Sequence, residues 1–344
     1  MRAVTISAHG GLEQLELRTD LPVPEPASGE VRVRLQAAAL NHLDVFTVGG
    51  LPGITIRPPW ILGADGAGVV DAIGEGVTSV SSGDSVVINP GISDGTCEFC
   101  AAGEQSMCIR FGLLGEHHPG TLADYIVVPA RNVRPIPADI PMETAAAFTL
   151  ATLTAWRMLV TRADVRATDD VLIWGIGGGV AQASMRIAKA RGARVWVTSG
   201  SDEKLERARE MGADETINHR TTNVGKEIRA RTGKRGVSVV VDSVGHDTWE
   251  QSLIALGRGG RLVTCGGTSG PIVQTDVRRL FWNQWTIMGS TMGNDSEFDA
   301  VTRELREGRL LPLIDSVHAL EDSRKAFERM NAGEQFGKIV VRIA

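Results

Sequence analysis

At 344 residues, 42% of them apolar and 22% charged, the chain has an ordinary globular composition and is long enough for two hydrophobic cores. Its formal net charge of −5 argues against a surface built for a phosphate backbone, so nucleic acid is not an expected partner. Met1–Ile6 is already strand-like and no run suits a membrane span. Four cysteines, three of them between 97 and 108, do not resemble a secreted disulfide framework, and a cytoplasmic location is expected.

The first third is rich in short strands. Val31, Val33 and Leu35 alternate with Arg32, Arg34 and Gln36, the pattern of a half-buried strand, preceded by a stiff connection through Pro22, Pro24 and Pro26. Gly68–Ile73, Asp84–Ile88 and Tyr125–Pro129 read as further strands, so residues 1 to roughly 130 form a β-rich domain. From Pro141 the character changes. Met142–Val160 is a helix candidate with an alanine-rich centre, and strands then alternate with helices. Strands are expected at Val171–Trp174, Arg194–Ser199, Glu215–Ile217, Ser238–Asp242 and Gly260–Cys265. The helices between them run from Val180 to Arg191, Asp202 to Met211, Asn223 to Thr232 and Thr248 to Leu256. That rhythm predicts a doubly wound parallel sheet. The tail adds helices at Glu297–Glu307 and Leu320–Asn331 and a strand at Lys338–Ile343, which return to the first domain.

The stretch with the most chemistry lies between the first strand and first helix of the second domain. Gly175, Gly177, Gly178 and Gly179 put four glycines in five positions, allowing a tight turn and close approach of bare backbone. The strict G-x-G-x-x-G pattern fails at Val180. Gly175, Gly178 and Ala181 instead give small residues at threefold spacing, where strand and helix must touch. A strand, a glycine turn and a helix N-terminus together make an anion site suited to a dinucleotide pyrophosphate.

In order along the chain come Gly63-Ala64-Asp65-Gly66-Ala67-Gly68-Val69-Val70, Gly83-Asp84, a cysteine-rich loop, Leu153-Thr154-Ala155-Trp156, the glycine turn, Asp242-Ser243-Val244-Gly245 and Gln335-Phe336-Gly337-Lys338. With these motifs the sequence resembles the medium-chain dehydrogenase/reductase superfamily over essentially its whole length. The resemblance implies an α/β protein: a GroES-like β domain (residues 1–150 and 293–344) and a Rossmann dinucleotide-binding domain (151–292), usually assembled as a homodimer or homotetramer. It also implies that Thr154, Gly175, Gly178, Gly179, Val180, Val244, Gly245, Gly266, Gly289, Ser290 and Lys338 line the cofactor site.

The departures carry the functional reading. In the zinc alcohol dehydrogenases of this superfamily, the catalytic metal's ligands and neighbouring acid correspond to Asn41, Ala64, Leu150 and Asp65 here, and the proton-relay hydroxyl to Leu43. Ala64 and Leu150 offer no ligand and Asn41 a poor one. Lowering a hydroxyl pKa from about 16 to about 7, as zinc does for water, corresponds to roughly 12 kcal/mol, and nothing near Asn41 in sequence replaces it. The segment Asn41-His42-Leu43-Asp44 instead resembles the zinc-free quinone oxidoreductase and enoyl reductase branch. Asn41, His42 and Asp65 are the candidate catalytic residues. For His42 a phosphate contact or a packing role is an equal alternative, and for Asp65 a structural carboxylate.

Asp94, Cys97, Cys100 and Cys108 match the superfamily's structural-zinc loop, with an aspartate at the first cysteine's place; carboxylate oxygen is an acceptable fourth ligand. For the coenzyme, the second strand ends in Ser199 without a carboxylate at its tip. Lys204 lies where an ammonium meets a 2′-phosphate, and His219 stands where NADPH-using quinone oxidoreductases carry a tyrosine. The expectation is an NADP(H)-dependent oxidoreductase that transfers hydride to a quinone or an activated double bond of a small-molecule substrate. A zinc alcohol dehydrogenase with atypical ligands and a coenzyme-binding protein without turnover are the other readings.

Overall fold

The computed structural model describes residues 1–344, which divide into two compact units: Met1–Ala151 with Gly293–Ala344, and Thr152–Met292. No helix is long and apolar enough to cross a membrane.

The first unit is organised on the strand Glu30–Ala39. Its alternation drives Val31, Val33 and Leu35 into the core, where all three are fully buried. It pairs antiparallel with Asp65–Ile73 along nearly its whole length, with Tyr125–Pro129 through its first half, and with the C-terminal strand Lys338–Arg342 at its end. The sheet continues through Ser85–Ile88 to Val133–Pro135 on one side and through Lys338–Arg342 to Ile314–Ala319 on the other. Register sets which strand ends meet. Ala39 lies opposite both Asp65 and Val340, and the Leu40 N–H donates to Ile339 O. Residues 41, 65 and 338 are therefore brought to one end of three neighbouring strands.

The second unit holds the doubly wound sheet. Its strand order is Glu215–Asn218, Arg194–Ser199, Asp170–Ile173, Val237–Asp242, Leu256–Thr264, Thr286–Gly289, and every pair is parallel. Being covered on both faces, its central strands are apolar throughout: Val171–Ile173, Val195–Val197 and Val239–Val241 are all buried. Strand order reverses between Asp170–Ile173 and Val237–Asp242, the switch point where such sheets bind ligands.

Elements not expected from the sequence include the helices His42–Gly49 and Val277–Asn283 and the strands Thr286–Gly289 and Ile314–Ala319. The helix expected over Met142–Val160 keeps α geometry only to Trp156 and then widens into a π-type turn, Arg157–Arg162. The boundary between the units falls within that helix.

Candidate functional site

In the second unit, Gly175 takes φ +68°, turning the chain off the first strand, and the helix Gly179–Ala190 begins directly after Gly178. The turn is held by the Gly175 N–H on Thr198 Oγ1 (3.2 Å) and the Ile176 N–H on Thr198 O (2.9 Å). A Cβ on Gly175 would meet nothing within 4 Å, and one on Gly178 only Gly175 O at 3.6 Å. That open space before a helix N-terminus is what a pyrophosphate needs, so the residues fit a dinucleotide. Gly289 is equally open, and the neighbouring Ser290 hydroxyl is buried with no protein partner. At the switch point, the buried Asp242 carboxylate accepts from the Val244 and Gly245 N–H groups (2.9 and 3.0 Å) and from the Thr248 and Ser252 hydroxyls. It thereby fixes the turn that the sequence motif marked. Thr154 is buried, its hydroxyl 3.5 Å from Met292 Sδ.

The tip of the second strand shows how the adenosine end is arranged. Ser199 accepts the Ser201 N–H (3.1 Å), and Ser201 caps the next helix by accepting the Lys204 N–H (3.3 Å). The nearest acid, Asp202, is bonded by the Asn218 amide at 2.7 Å. His219 lies beside Trp174, with ring centroids 6.2 Å apart; burial, then the Arg220 charge, holds its pKa below that of an ordinary histidine. Sequence reasoning missed Arg220. Its side chain lies against Gly200, with Nε 2.6 Å from where a Cβ on that glycine would sit, and its exposed guanidinium makes no ion pair. The absent Cβ at Gly200 was the readable signal.

In the first unit the sheet register assembles a closed polar cluster. Asp65 is fully buried. Its Oδ1 accepts from Thr149 Oγ1 (2.5 Å) and the Leu150 N–H (2.7 Å), and its Oδ2 from Asn41 Nδ2 (2.9 Å) and Lys338 Nζ (2.8 Å). All four accepting positions of the carboxylate are filled. The Lys338 ammonium, 4% exposed, donates to Asp65 Oδ2, to Asn41 Oδ1 (2.6 Å) and to Leu40 O (2.8 Å), which uses its three N–H bonds. Asp65 therefore has the bonding of the structural carboxylate that the sequence reading set beside a catalytic role, and all three Lys338 N–H bonds are made within the protein.

Asn41 is the half-exposed member of the cluster and precedes the helix His42–Gly49. Asp44, in the first turn, accepts the Asn41 N–H (2.7 Å) and the N–H of Gly63 (3.1 Å), a residue at φ +99°. The Asn-x-x-Asp spacing that marked the motif is thus also the spacing of a helix N-terminal cap. Burial pushes the Asp44 carboxyl up to about 7. His42 follows Asn41 with its ring 6.3 Å from Phe46; desolvation, then the Lys338 charge, holds its pKa below the ordinary histidine value.

The donor set at this place does not fit a catalytic zinc. The Asn41 and Asp65 oxygens already bind an ammonium, Ala64 is an alanine, and Leu150 contributes a backbone N–H to Asp65. The other metal position does fit. One ligand atom from each of Asp94, Cys97, Cys100 and Cys108 lies within 4.8 Å of the others. The Asp94 and Arg110 N–H groups each lie 3.3 Å from Cys108 Sγ, and Asp94 Oδ1 accepts from Thr96 and Cys97 (2.8 and 2.9 Å), leaving Oδ2 for a metal. Those two N–H bonds hold the Asp94 carboxyl well below the usual range. Three thiols and a carboxylate suit a closed, tetrahedral, structural zinc.

A six-stranded parallel sheet, numbered along the chain as 3-2-1-4-5-6, with an open glycine turn at its switch point defines a dinucleotide-binding fold. Comparison with known proteins narrows the class. Residues 27–138 match the alcohol dehydrogenase GroES-like domain, and 179–307 the zinc-binding dehydrogenase family. The chain is 46% identical, over the full length of both chains, to a crystal structure titled NAD-dependent alcohol dehydrogenase, with a TM-score of 0.95. It is 31% identical to the crotonyl-CoA reductase of Streptomyces avermitilis, covering 94% of this chain and 80% of that one. It is 27% identical to human quinone oxidoreductase, covering 99% and 97%. The chain belongs to the medium-chain dehydrogenase/reductase superfamily, close to its quinone oxidoreductase and enoyl reductase branch. It is an NAD(P)H-dependent oxidoreductase.

Proposed function

We propose that this protein reduces quinones or activated carbon–carbon double bonds, enones or enoyl thioesters, with NADPH and without a catalytic metal. The observation that carries the reading is the cluster at Asn41. Where a metal-dependent relative needs open ligands, this chain offers a carboxamide bonded to an internal cation. When bound, the coenzyme supplies a hydride. Transfer to the β-carbon of an enone moves the π electrons onto the carbonyl oxygen, and a proton from solvent completes the reduction. The oxygen that gains charge needs a hydrogen-bond donor and no Lewis acid. In this reading Asn41 is the donor, with His42 beside it. Desolvation and the Lys338 charge hold the His42 pKa below the ordinary histidine value, and a neutral imidazole keeps one N–H donor.

Support for NADPH comes from the second strand's tip. Arg220, Lys204, Ser199 and His219 come from the segments that meet there, and the Asp202 carboxylate is held by Asn218. For the partner, the strand Thr286–Gly289 is an unpaired sheet edge. Next to it Ile272, Val277, Phe281 and Trp282 are 77%, 64%, 63% and 68% exposed. A second copy of the chain pairing edge to edge would cover both, giving a homodimer. The Asp94 cluster would hold the structural zinc.

One observation favours a second reading: the relative at 46% identity is titled an alcohol dehydrogenase. The test is NADPH oxidation against a panel of quinones, enones and enoyl thioesters, beside NADP⁺ reduction by simple alcohols. Turnover of acceptors but not alcohols is expected. The reverse, dependent on added zinc, would establish the alcohol dehydrogenase reading, and tight NADPH binding with no turnover would establish a binding protein.

A further inference from the structure

The cluster around Asn41 contains a buried lysine and a buried aspartate to which hydride transfer gives no direct role. A carboxamide beside an ammonium and a carboxylate has one satisfied orientation. The ammonium only donates, so it faces Oδ1 (2.6 Å); the carboxylate only accepts, so it faces Nδ2 (2.9 Å). One Nδ2 hydrogen is thereby committed to Asp65. The other has only the Ala39 carbonyl at 3.5 Å, beyond the normal range for N–H···O, and remains available. The ammonium on Oδ1 also draws electron density out of the amide, which makes that remaining N–H a stronger donor.

We propose that Lys338 and Asp65 act on the reaction through Asn41. As a buried ion pair they fix the carboxamide's orientation and strengthen its uncommitted N–H as a donor to the oxygen that gains charge. This rests on the acceptor-reductase reading of the site. Lys338 and Asp65 are positioning residues; Asn41 is the catalytic one. The cation that relatives supply as a metal is here covalently part of the chain, acting through the Asn41 carboxamide that stands between it and the reactant. Thr149 and the Leu150 N–H hold the far side of Asp65, so the pair cannot rotate to meet the substrate itself.

Two measurements test this. In steady-state kinetics the Lys338→Met, Asp65→Asn double variant removes both charges together and leaves no orphan ion. It is expected to melt cooperatively and to lower kcat about 10²-fold with KM nearly unchanged, as loss of an oriented oxyanion donor does. Adding the same two changes to Asn41→Ala is expected to cause no further loss, because the pair acts only through that side chain. A kcat within threefold of wild type, or the same loss repeated in the Asn41→Ala background, would overturn the proposal. The second measurement needs neither turnover nor a variant that folds. In the wild-type protein, NMR of the Asn41 carboxamide is expected to show one slowly exchanging proton, bonded to Asp65, and one that exchanges readily with solvent. Rapid exchange of both protons, or protection of both, overturns the inference, whatever the assay says. Absence of acceptor turnover with a rigid Asn41 amide instead removes the acceptor-reductase reading.

Discussion

Two aspartates in the first unit show what decides whether a position can hold a metal. Asp94 is a half-buried member of a group of soft donors; two backbone N–H bonds occupy one of its oxygens and leave the other beside three thiols. Asp65 is buried among hard donors, and an ammonium already answers its charge. The difference lies in the neighbours: cysteines within a short loop in one case, a lysine 273 residues away in the other. The first set has the ligand types and spacing that suit zinc, and the second set has no free valence to offer it.

The largest effect expected from breaking this contrast is at Lys338. Lys338→Met alone strands the Asp65 carboxylate in the core and is expected to cost about 3–5 kcal/mol in urea unfolding; the Lys338→Met, Asp65→Asn pair should cost far less. Next comes the other aspartate. Free zinc held about a hundredfold above its Kd should stabilise the protein by about 2.7 kcal/mol over the chelated form. Elemental analysis should find one zinc per chain, lost in Cys100→Ser and retained in Asn41→Ala. A smaller change is expected in the second unit. Arg220→Ala removes a charge-assisted contact and should weaken NADPH by about 1.5–3 kcal/mol, roughly ten- to a hundredfold, with NADH unchanged in titration calorimetry.

The smallest effect concerns Asp44, next to the Lys338 cluster. Burial raises its pKa from 3.8 to about 7, with Asp65 adding to the rise and the Asn41 and Gly63 N–H bonds and Lys338 opposing it. A carboxyl that binds its proton more tightly when folded contributes stability that is fully present below pH 3.8 and lost as pH rises through about 7. The unfolding free energy from urea titrations should therefore decline between pH 5 and 7, by up to about 1 kcal/mol per pH unit, and the decline should be shallower in Asp44→Asn.

Much of the architecture was legible because period and punctuation agreed with tertiary fate. The buried strands read as apolar runs, and Gly192, at φ +81°, stands just past the helix it was expected to close. The helix His42–Gly49 escaped notice because Val45, Thr47 and Val48 are β-branched and argue for a strand; its cap at Asn41 and Asp44 was the better signal. The helix Val277–Asn283 escaped because its large apolar residues face outward, so no buried stripe marks a period. At the candidate site the residues could be named, but not their bonding. That Lys338 meets Asp65 depends on the register of strands far apart in sequence, which no local pattern records. Arg220 was overlooked because its position depends on the bare backbone at Gly200.

The central claim is that this chain places a metal only in the Asp94 loop and does its chemistry at Asn41 by hydrogen bonding around an internal cation. Anomalous diffraction at the zinc edge, on crystals grown with zinc and NADPH, tests it most directly. A single peak among Asp94, Cys97, Cys100 and Cys108, with Lys338 seated on Asp65, is the predicted result. A second peak between Asn41 and Asp65, with the lysine displaced, would contradict it.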